Sequence, residues 1–263
     1  MTASLLAGIR VLDLTTVVVG PAATLRLVDY GAEVIKIEPP EGDLMRALGG
    51  PSRTGELSPK FMHFNRGKRF VRLDLKDARA KAVMRKLIAG ADVFISNMRP
   101  AALEKLGLDA ATCRALKPAL VHCLITGFGP GGPYRGRPAY DTVLQGVAGV
   151  AGLAHARDGV PSYAPFLAVD HVVAEITAGA VLAALVRRLR TGEGASLEIP
   201  MHETMAAFVL KEHLGAATFS PTRGPPGDRR IIDPFNRPSK TSDGWISITA
   251  NSDAQAKAFL RVI

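Results

Sequence analysis

Three stretches of the 263-residue chain place residue types where chemistry could use them. The first, GFGPGG from Gly127 to Gly132, matches the G-x-G-x-x-G spacing with which a backbone approaches a pyrophosphate. Pro130 and Pro133 interrupt it, and no amphipathic helix opens after it to offer free N–H groups, so it reads as a glycine-rich loop against a ligand rather than a dinucleotide fingerprint. The second, His202-Glu203, begins as a zinc-protease helix begins, but Ala206 stands where H-E-x-x-H needs its second histidine. No other His/Cys cluster has metal-ligand spacing, and neither G-x-x-x-x-G-K-[ST] nor G-x-S-x-G occurs, so metal, ATP and serine-hydrolase chemistry lose their usual support. The third is Asp170, which opens a stretch of small residues. Its plainest role is a helix N-cap. The same position suits a carboxylate nucleophile, because free N–H groups keep it ionised and small neighbours leave room for a substrate.

These residues need a scaffold, and the apolar runs supply one. Gly8–Thr15, Ala32–Glu38, Ala91–Asn97 and Ala119–Gly127 are short and rich in β-branched residues, as buried parallel strands are. Helical spacing fills the gaps at Ala22–Tyr30, Ala78–Ala89 and Ala101–Leu106. The repeated strand-helix-strand pattern predicts a doubly wound α/β sheet. A longer helix is expected from about Asp170 to Arg190, with Ala174, Ala178, Gly179, Ala180, Ala183 and Ala184 inside and Gly192 as its C-cap. A strand at Ala195–Pro200 and a helix from about His202 to Leu214 follow. The predicted domains are 1–219, a large α/β domain, then a Pro/Gly/Arg-rich linker at 220–240 and an unfinished smaller domain at 241–263. The last contains an alternating strand at Asp243–Ala250 and a helical pattern from Asp253 to Ile263.

Composition sets the class of partner. Thirty-three Lys and Arg against 24 Asp and Glu give a net charge of +9, which favours a polyanion. The basic residues are scattered (Arg66, Lys68 and Arg69; Arg135 and Arg137; Arg187, Arg188 and Arg190; Arg229 and Arg230), which weighs against nucleic acid and leaves a phosphate-rich small molecule. Two cysteines, Cys113 and Cys123, are too few for a disulfide framework and suit a reducing cytoplasm. The first ten residues lack a basic, apolar leader, and the longest apolar run, Ile176–Val186, is about half a membrane span, so a soluble protein is expected.

Taken in order, the fragments resemble the family III CoA-transferases, the formyl-CoA and carnitinyl-CoA transferase type, which share a fold with α-methylacyl-CoA racemases. The resemblance is carried by LAGIRVLDLT with Gly20-Pro21, GAEVIKIEPPEGD (Gly31–Asp43), NRGKRFVRLDLK (Asn65–Lys76), ADVFISNMRP (Ala91–Pro100), ITGFGPGGP (Ile125–Pro133) and YDTVLQGVAG (Tyr140–Gly149). Gly159-Val160-Pro161 followed by Leu167-Ala168-Val169-Asp170, then RTGEGASLEIPMHE (Arg190–Glu203) and TSDGWISITA, complete it. It runs over essentially the whole chain, and its specificity lies in the series rather than in any one motif.

The resemblance implies that Asp170 is the nucleophile and that coenzyme A is substrate and product, with no permanently bound cofactor. It puts Thr16, Val17, Val18 and Val19 over the thioester, Leu73 and Lys76 beside the adenine, Asn97, Met98 and Lys105 near the nucleotide and pantetheine, and Tyr140 and Asp141 facing the acyl group. Gly127–Gly132 or Gly146–Gly149 are candidates to stabilise oxyanions. An interlocked homodimer in the cytoplasm is expected, acting on an acyl-CoA and a carboxylic acid without nucleic acid or membrane. Three departures bear on the chemistry. Val18 and Val19 replace Gln and Ala of the formyl-type enzyme, so its oxalate chemistry is not implied, and the apolar Val17, Val18 and Val19 point to a larger or less polar acyl group than formyl. Pro39 replaces an arginine that often meets the CoA phosphates, so another basic residue must serve. Tyr140 stands where racemases have His, which favours transfer. Two alternatives stay open: a racemase or isomerase with Asp141 as base, and an inactive CoA-binding remnant, suggested by the abrupt end at Ile263.

Overall fold

The computed structural model describes residues 4–262 apart from Gly49, Pro51 and Thr54; Ile263, at which the last helical pattern ends, lies outside the described residues. The apolar runs fold as β1 (Arg10–Leu14), β2 (Glu33–Glu38), β4 (Val93–Ser96), β5 (Val121–Thr126) and β6 (Ala195–Pro200), joined by β3 (Arg69–Arg72). All six pair in parallel in the order β3-β2-β1-β4-β5-β6, which is the doubly wound α/β sheet that the spacing predicts. β3 is an edge strand whose residues are mostly exposed, so no apolar run announces it.

Helices cover both faces, because every internal strand is apolar on both. On one face α1 (Val19–Asp29) and α8 (Ala168–Thr191) pack over Val11, Val34, Val93, Val121 and Cys123. On the other α3 (Ala78–Gly90), α4 (Pro100–Leu106) and α5 (Ala110–Leu116) cover Leu12, Ile37 and Phe94. The starts are dictated locally. Asp77 and Asp109 accept backbone N–H bonds that open α3 and α5, and Ser58 does so for α2 (Pro59–Asn65). Gly192, at φ +75°, closes α8 as expected, where a Cβ would be strained. α8 has the length and mean hydropathy (1.7) of a membrane span, yet its Val169, Val173, Ala178 and Val181 are spent on the sheet, as in a core helix. The two cysteines lie in different cores, each thiol pushed up to about 12 by burial.

By contacts the chain forms two units, one of 1–150 with 163–209, the other of 151–162 with 210–263. The division falls inside α9 (Met201–His213), ten residues before the predicted boundary at 219, and the second unit also takes in most of α7 (Val150–Asp158), which follows α6 (Asp141–Val147). In the second unit the strand expected over Asp243–Ala250 shrinks to β8 (Trp245–Ile246), paired antiparallel with β7 (Ser239–Lys240). Trp245 and Ile246 are both exposed, so nothing apolar holds a longer strand down. The helical pattern at the end becomes α10 (Asp253–Phe259), with Ser252 accepting from Gln255 N at its start.

Candidate functional site

The strand order reverses between β1 and β4, and in such sheets ligands bind outside the carboxyl ends of the strands at this reversal. The first unit has a cavity of about 680 Å³ there, walled by the segments that follow β1, β4 and β5. Across the reversal, Thr16 N donates to Asn97 Oδ1 (3.0 Å) and Asn97 Nδ2 donates to Thr16 O (2.9 Å), so one amide side chain ties the two strand ends together.

Asp170 reaches the cavity from the third residue of α8. It does not cap the helix. Leu167 occupies the N-cap with no side-chain bond, and the capping carboxylate comes from another helix: Asp141 Oδ1 accepts from Val169 N (2.8 Å) and Asp170 N (3.0 Å). Asp141 Oδ2 in turn accepts from Gln145 Nε2, one turn along α6, and Gln145 Oε1 accepts from Ala164 N (2.8 Å). Asp141 and Gln145 are both almost fully buried, so α6 acts as a clasp on the segment that presents Asp170. Gln145 carries no sequence signal beyond its i, i+4 spacing from Asp141.

The N–H groups expected to keep Asp170 ionised are therefore occupied by Asp141. The Asp170 carboxylate makes no hydrogen bond among the described residues, and burial, helped by the Asp141 charge, pushes it up to about 7. This reverses the expectation of an ordinary ionised aspartate, since no donor among the described residues offsets the cost of burying the charge. Asp141 is likewise redirected. It borders the cavity, but both its oxygens already accept hydrogen bonds, two on Oδ1 and one on Oδ2, and these hold the start of α8 and the Gln145 side chain in place.

The predicted residues divide in two. Thr16, Val17, Val18, Val19, Asn97, Met98, Tyr140, Asp141 and Asp170 line one cavity. Leu73, Lys76 and Lys105 do not; Leu73 packs on the α3 side of the sheet, and Lys76 and Lys105 are exposed. Of the three valines, Val18 turns its side chain toward Met45 and Phe61 and Val19 enters the main core, leaving Val17 half-buried at the cavity. Val17 also has φ +68°, a region that a β-branched residue enters only under strain. The glycine-rich loop contributes Gly127, Phe128 and Pro130, whereas Gly146–Gly149 are absent from the wall. Glu203, the second residue of the failed zinc motif, anchors that loop by accepting from Gly129 N at 2.8 Å, so close that a Cβ on Gly129 would lie 2.6 Å from its Oε1. Among the described residues no His/Cys/Asp/Glu group is arranged for a metal ion.

Basic residues also reach the cavity. Arg99, Arg135 and Arg137 line it, are exposed, and have no carboxylate partner among the described residues. Arg137 lies over the Tyr134 ring, 5.2 Å from its centroid.

Beneath the loop that carries Val17, two ammonium groups are fully buried. Lys68 Nζ donates to Asp13 Oδ2 (3.0 Å), Pro21 O (2.9 Å) and Asn65 Oδ1 (2.9 Å), which uses all three of its protons. Lys36 Nζ donates to Thr15 O (2.6 Å) and pairs with Asp43 Oδ2 at 3.0 Å. Burial alone would raise the Asp13 carboxyl, but Lys68, Lys36 and the hydroxyls of Thr15 and Thr24 overrule it and hold Asp13 well below the carboxylate range.

Known proteins are similar to this chain over nearly its full length. The chain is 35% identical to the succinate–glutarate CoA-transferase of Agrobacterium fabrum, over 98% of its own length and 66% of the relative's. It is 32% identical to the succinyl-CoA:glutarate CoA-transferase of Mus musculus, over 98% of this chain and 59% of that one. The crystal structure of a CAIB/BAIF family protein from Brucella suis superposes with a TM-score of 0.83 at 31% identity, covering 97% of this chain and 68% of that chain. The chain thus spans about three-fifths to two-thirds of the length of the curated relatives it matches. The model of CoA-transferase family III matches residues 6–263, and with the sheet, the cavity and the ordered motifs in agreement, the chain belongs to that family.

Proposed function

We propose that the chain supplies the nucleophile and the CoA-binding wall of a CoA-transferase, which moves CoA from an acyl-CoA donor to a carboxylic acid. The observation that carries this reading is Asp170: a buried carboxylate at the cavity, pushed up to about 7, with no hydrogen bond of its own and a neighbouring helix built to hold its backbone. An unsolvated carboxylate is a strong nucleophile once ionised. Its oxygen attacks the thioester carbonyl, the C–S bond breaks and CoA leaves as thiolate, giving a mixed anhydride. The thiolate then attacks the Asp170 carbonyl carbon and releases the donor acid. The acceptor carboxylate attacks the resulting aspartyl thioester, expelling CoA again as thiolate and forming a second anhydride; the thiolate attacks the acceptor's acyl carbon, giving the new acyl-CoA and freeing the Asp170 carboxylate. Both covalent adducts stay activated, so no ATP is needed. Gly127–Gly132 stays the candidate for stabilising oxyanions, through backbone N–H groups.

Arg99, Arg135 and Arg137 fit the phosphates of CoA, taking the part for which Pro39 is unsuited. Thr16, Val17, Asn97, Met98 and Tyr140 then line the pantetheine and acyl region, and Leu73, Lys76 and Lys105 have no place at this cavity. With Val18 and Val19 turned inward, the inference of a less polar acyl group rests on Val17 alone. Relatives named for succinate and glutarate put short dicarboxylic acids first among the acids to assay. The racemase reading is the weaker one because Asp141, its base, is committed to capping α8 and holding Gln145. A homodimer in the cytoplasm accompanies the transferase reading by resemblance.

Borohydride provides the test. Incubation with succinyl-CoA followed by reduction is expected to convert Asp170 to its alcohol, read by peptide mass, with no such product after CoA alone. Arg135→Ala combined with Arg137→Ala is expected to weaken calorimetric CoA affinity by about tenfold to a hundredfold, from a loss of about 1.5–3 kcal/mol in charge-assisted contacts. An unmodified Asp170 under turnover conditions would refute the reading.

A further inference from the structure

The loop between β1 and α1 is the most tightly held part of the cavity wall, and part of its restraint comes from residues with no role in the transfer itself. Thr15 N donates to Asp13 Oδ1 (3.0 Å), and Thr16 N and O are both taken by Asn97. Thr15 O accepts from Lys36 Nζ (2.6 Å) and Val17 N donates to Asp43 Oδ1 (3.4 Å). Lys36 and Asp43 pair with each other at 3.0 Å, both side chains at zero exposure, and Asp43 Oδ1 also accepts from Met45 N (2.9 Å). The consecutive N–H and C=O groups of Thr15 and Thr16, and the N–H of Val17, are thus all bound by side chains from β1, β2, the segment after β2 and the segment after β4. At the end of this series stands Val17 at φ +68°, bordering the same cavity as Asp170.

A left-handed valine persists only where its surroundings over-determine it. A fully buried ion pair is an inefficient source of stability, since apolar side chains of similar volume do as well; its attested use is to fix one arrangement among several. We propose that Lys36 and Asp43 are positioning residues for the transfer reaction: their ion pair bridges Thr15 O to Val17 N and so clamps the strained wall of the substrate cavity in its working shape. The clamp fixes the peptide orientation before substrate binds, and its loss is felt in the chemical step more than in CoA affinity. This inference rests on the transferase reading.

Three variants and a control test it: Asp43→Asn, Val17→Gly, the two combined, and Arg188→Gln, which breaks the Arg188–Asp92 pair (2.8 Å) at the opposite, amino-terminal end of β4. Each is measured for borohydride trapping of Asp170 after succinyl-CoA, for calorimetric CoA affinity, and for amide hydrogen exchange over residues 14–18. Asp43→Asn is expected to slow trapping by about tenfold to a hundredfold, to change CoA affinity by less than about threefold, and to speed exchange at Thr16 and Val17. Arg188→Gln lowers thermal stability and leaves the other readouts unchanged. Val17→Gly loosens the loop with the fold intact, and Asp43→Asn added to it slows trapping less than it does alone, because the two act on one conformation. Additive effects, or wild-type exchange and trapping in Asp43→Asn, overturn the proposal. Should wild type itself give no adduct, the transferase reading fails, and hydrogen exchange with the same double-mutant cycle in stability still decides whether the clamp exists. Should Asp43→Asn not fold, Val17→Gly is compared with Val17→Ala: the clamp requires the glycine variant to exchange faster over 14–18 and trap more slowly, and equal behaviour overturns it.

Discussion

Asp13 in β1 and Asp170 in the first turn of α8 are both buried aspartates of the first unit, and their surroundings push them in opposite directions. Asp13 accepts from Thr15 N, from the hydroxyls of Thr15 and Thr24, and from the Lys68 ammonium. Asp170 has a like charge nearby, in Asp141, and no donor. The same burial that would raise both carboxyls is overruled at Asp13 by partners and left standing at Asp170. A satisfied carboxylate holds strand and loops together; an unsatisfied one holds free energy in reserve for a reaction. On this criterion the Asp13–Lys68 pair is structural, and the start of α8 is where the proposed chemistry lies.

The largest consequence attaches to Asp170. Asp170→Asn is expected to lower transfer by about a thousandfold or more, because it removes the nucleophile rather than tuning it. The same variant is expected to be more stable than wild type. The folded carboxyl titrates near 7 and the unfolded one near 3.8, so between these values the folded state binds the extra proton and wild-type stability falls as pH rises. The gap opens from pH 4 to pH 7 and then stays constant, at up to about 4 kcal/mol. Urea unfolding of both proteins at pH 5 and pH 8 measures it, and an equal gap at the two pH values would show that Asp170 is an ordinary surface-like carboxylate.

Asp13 should respond with the opposite signature. Lys68→Met leaves the Asp13 charge buried with its nearest cation gone, a loss of about 3–5 kcal/mol softened by Lys36. Because the folded Asp13 carboxyl is held low, its contribution is present above the unfolded value and is lost as pH falls through the folded one. Raising that folded value moves acid unfolding to a higher pH. A circular-dichroism pH titration should show the variant unfolding before wild type on acidification, and coincident curves would break the contrast with Asp170.

How much of this was legible beforehand follows the same division. The sheet was readable, since β1, β2, β4 and β5 are continuous apolar runs and their parallel pairing follows from the helices between them. β3 was not, because an exposed edge strand needs no apolar face. Asp170 could be singled out from small neighbours and from its place in the motif series, yet its protonation could not, because Asp141 lies 29 positions away and the cap it provides is a tertiary contact. Gln145, Lys36 and Asp43 were invisible as functional residues for the same reason: in sequence a buried lysine looks like any surface lysine. Arg135 and Arg137 were visible as basic residues, and only the fold brings them to the cavity with Arg99.

The smallest effect discriminates most finely between the two carboxylate environments. In Asp141→Asn the side-chain oxygen can still accept from Val169 N and Asp170 N, so the start of α8 keeps its cap; the like charge disappears, and with it the bond from Gln145 Nε2, which then faces an amide NH2. Burial is the larger cause of the Asp170 shift and the Asp141 charge the smaller, so removing the charge should lower the Asp170 value only part of the way to that of a free aspartate. With the ionised carboxylate as the proposed nucleophile, kcat/KM should rise with pH and level off above about 7 in wild type, and the variant's acid limb should lie at lower pH. The two proteins then differ most near pH 6, where the variant is the faster, and converge by pH 8. A limb that fell all the way to the range of a free aspartate would make the Asp141 charge, rather than burial, the source of the reserve, and the α8 start would be a two-carboxylate site instead of one carboxylate kept dry.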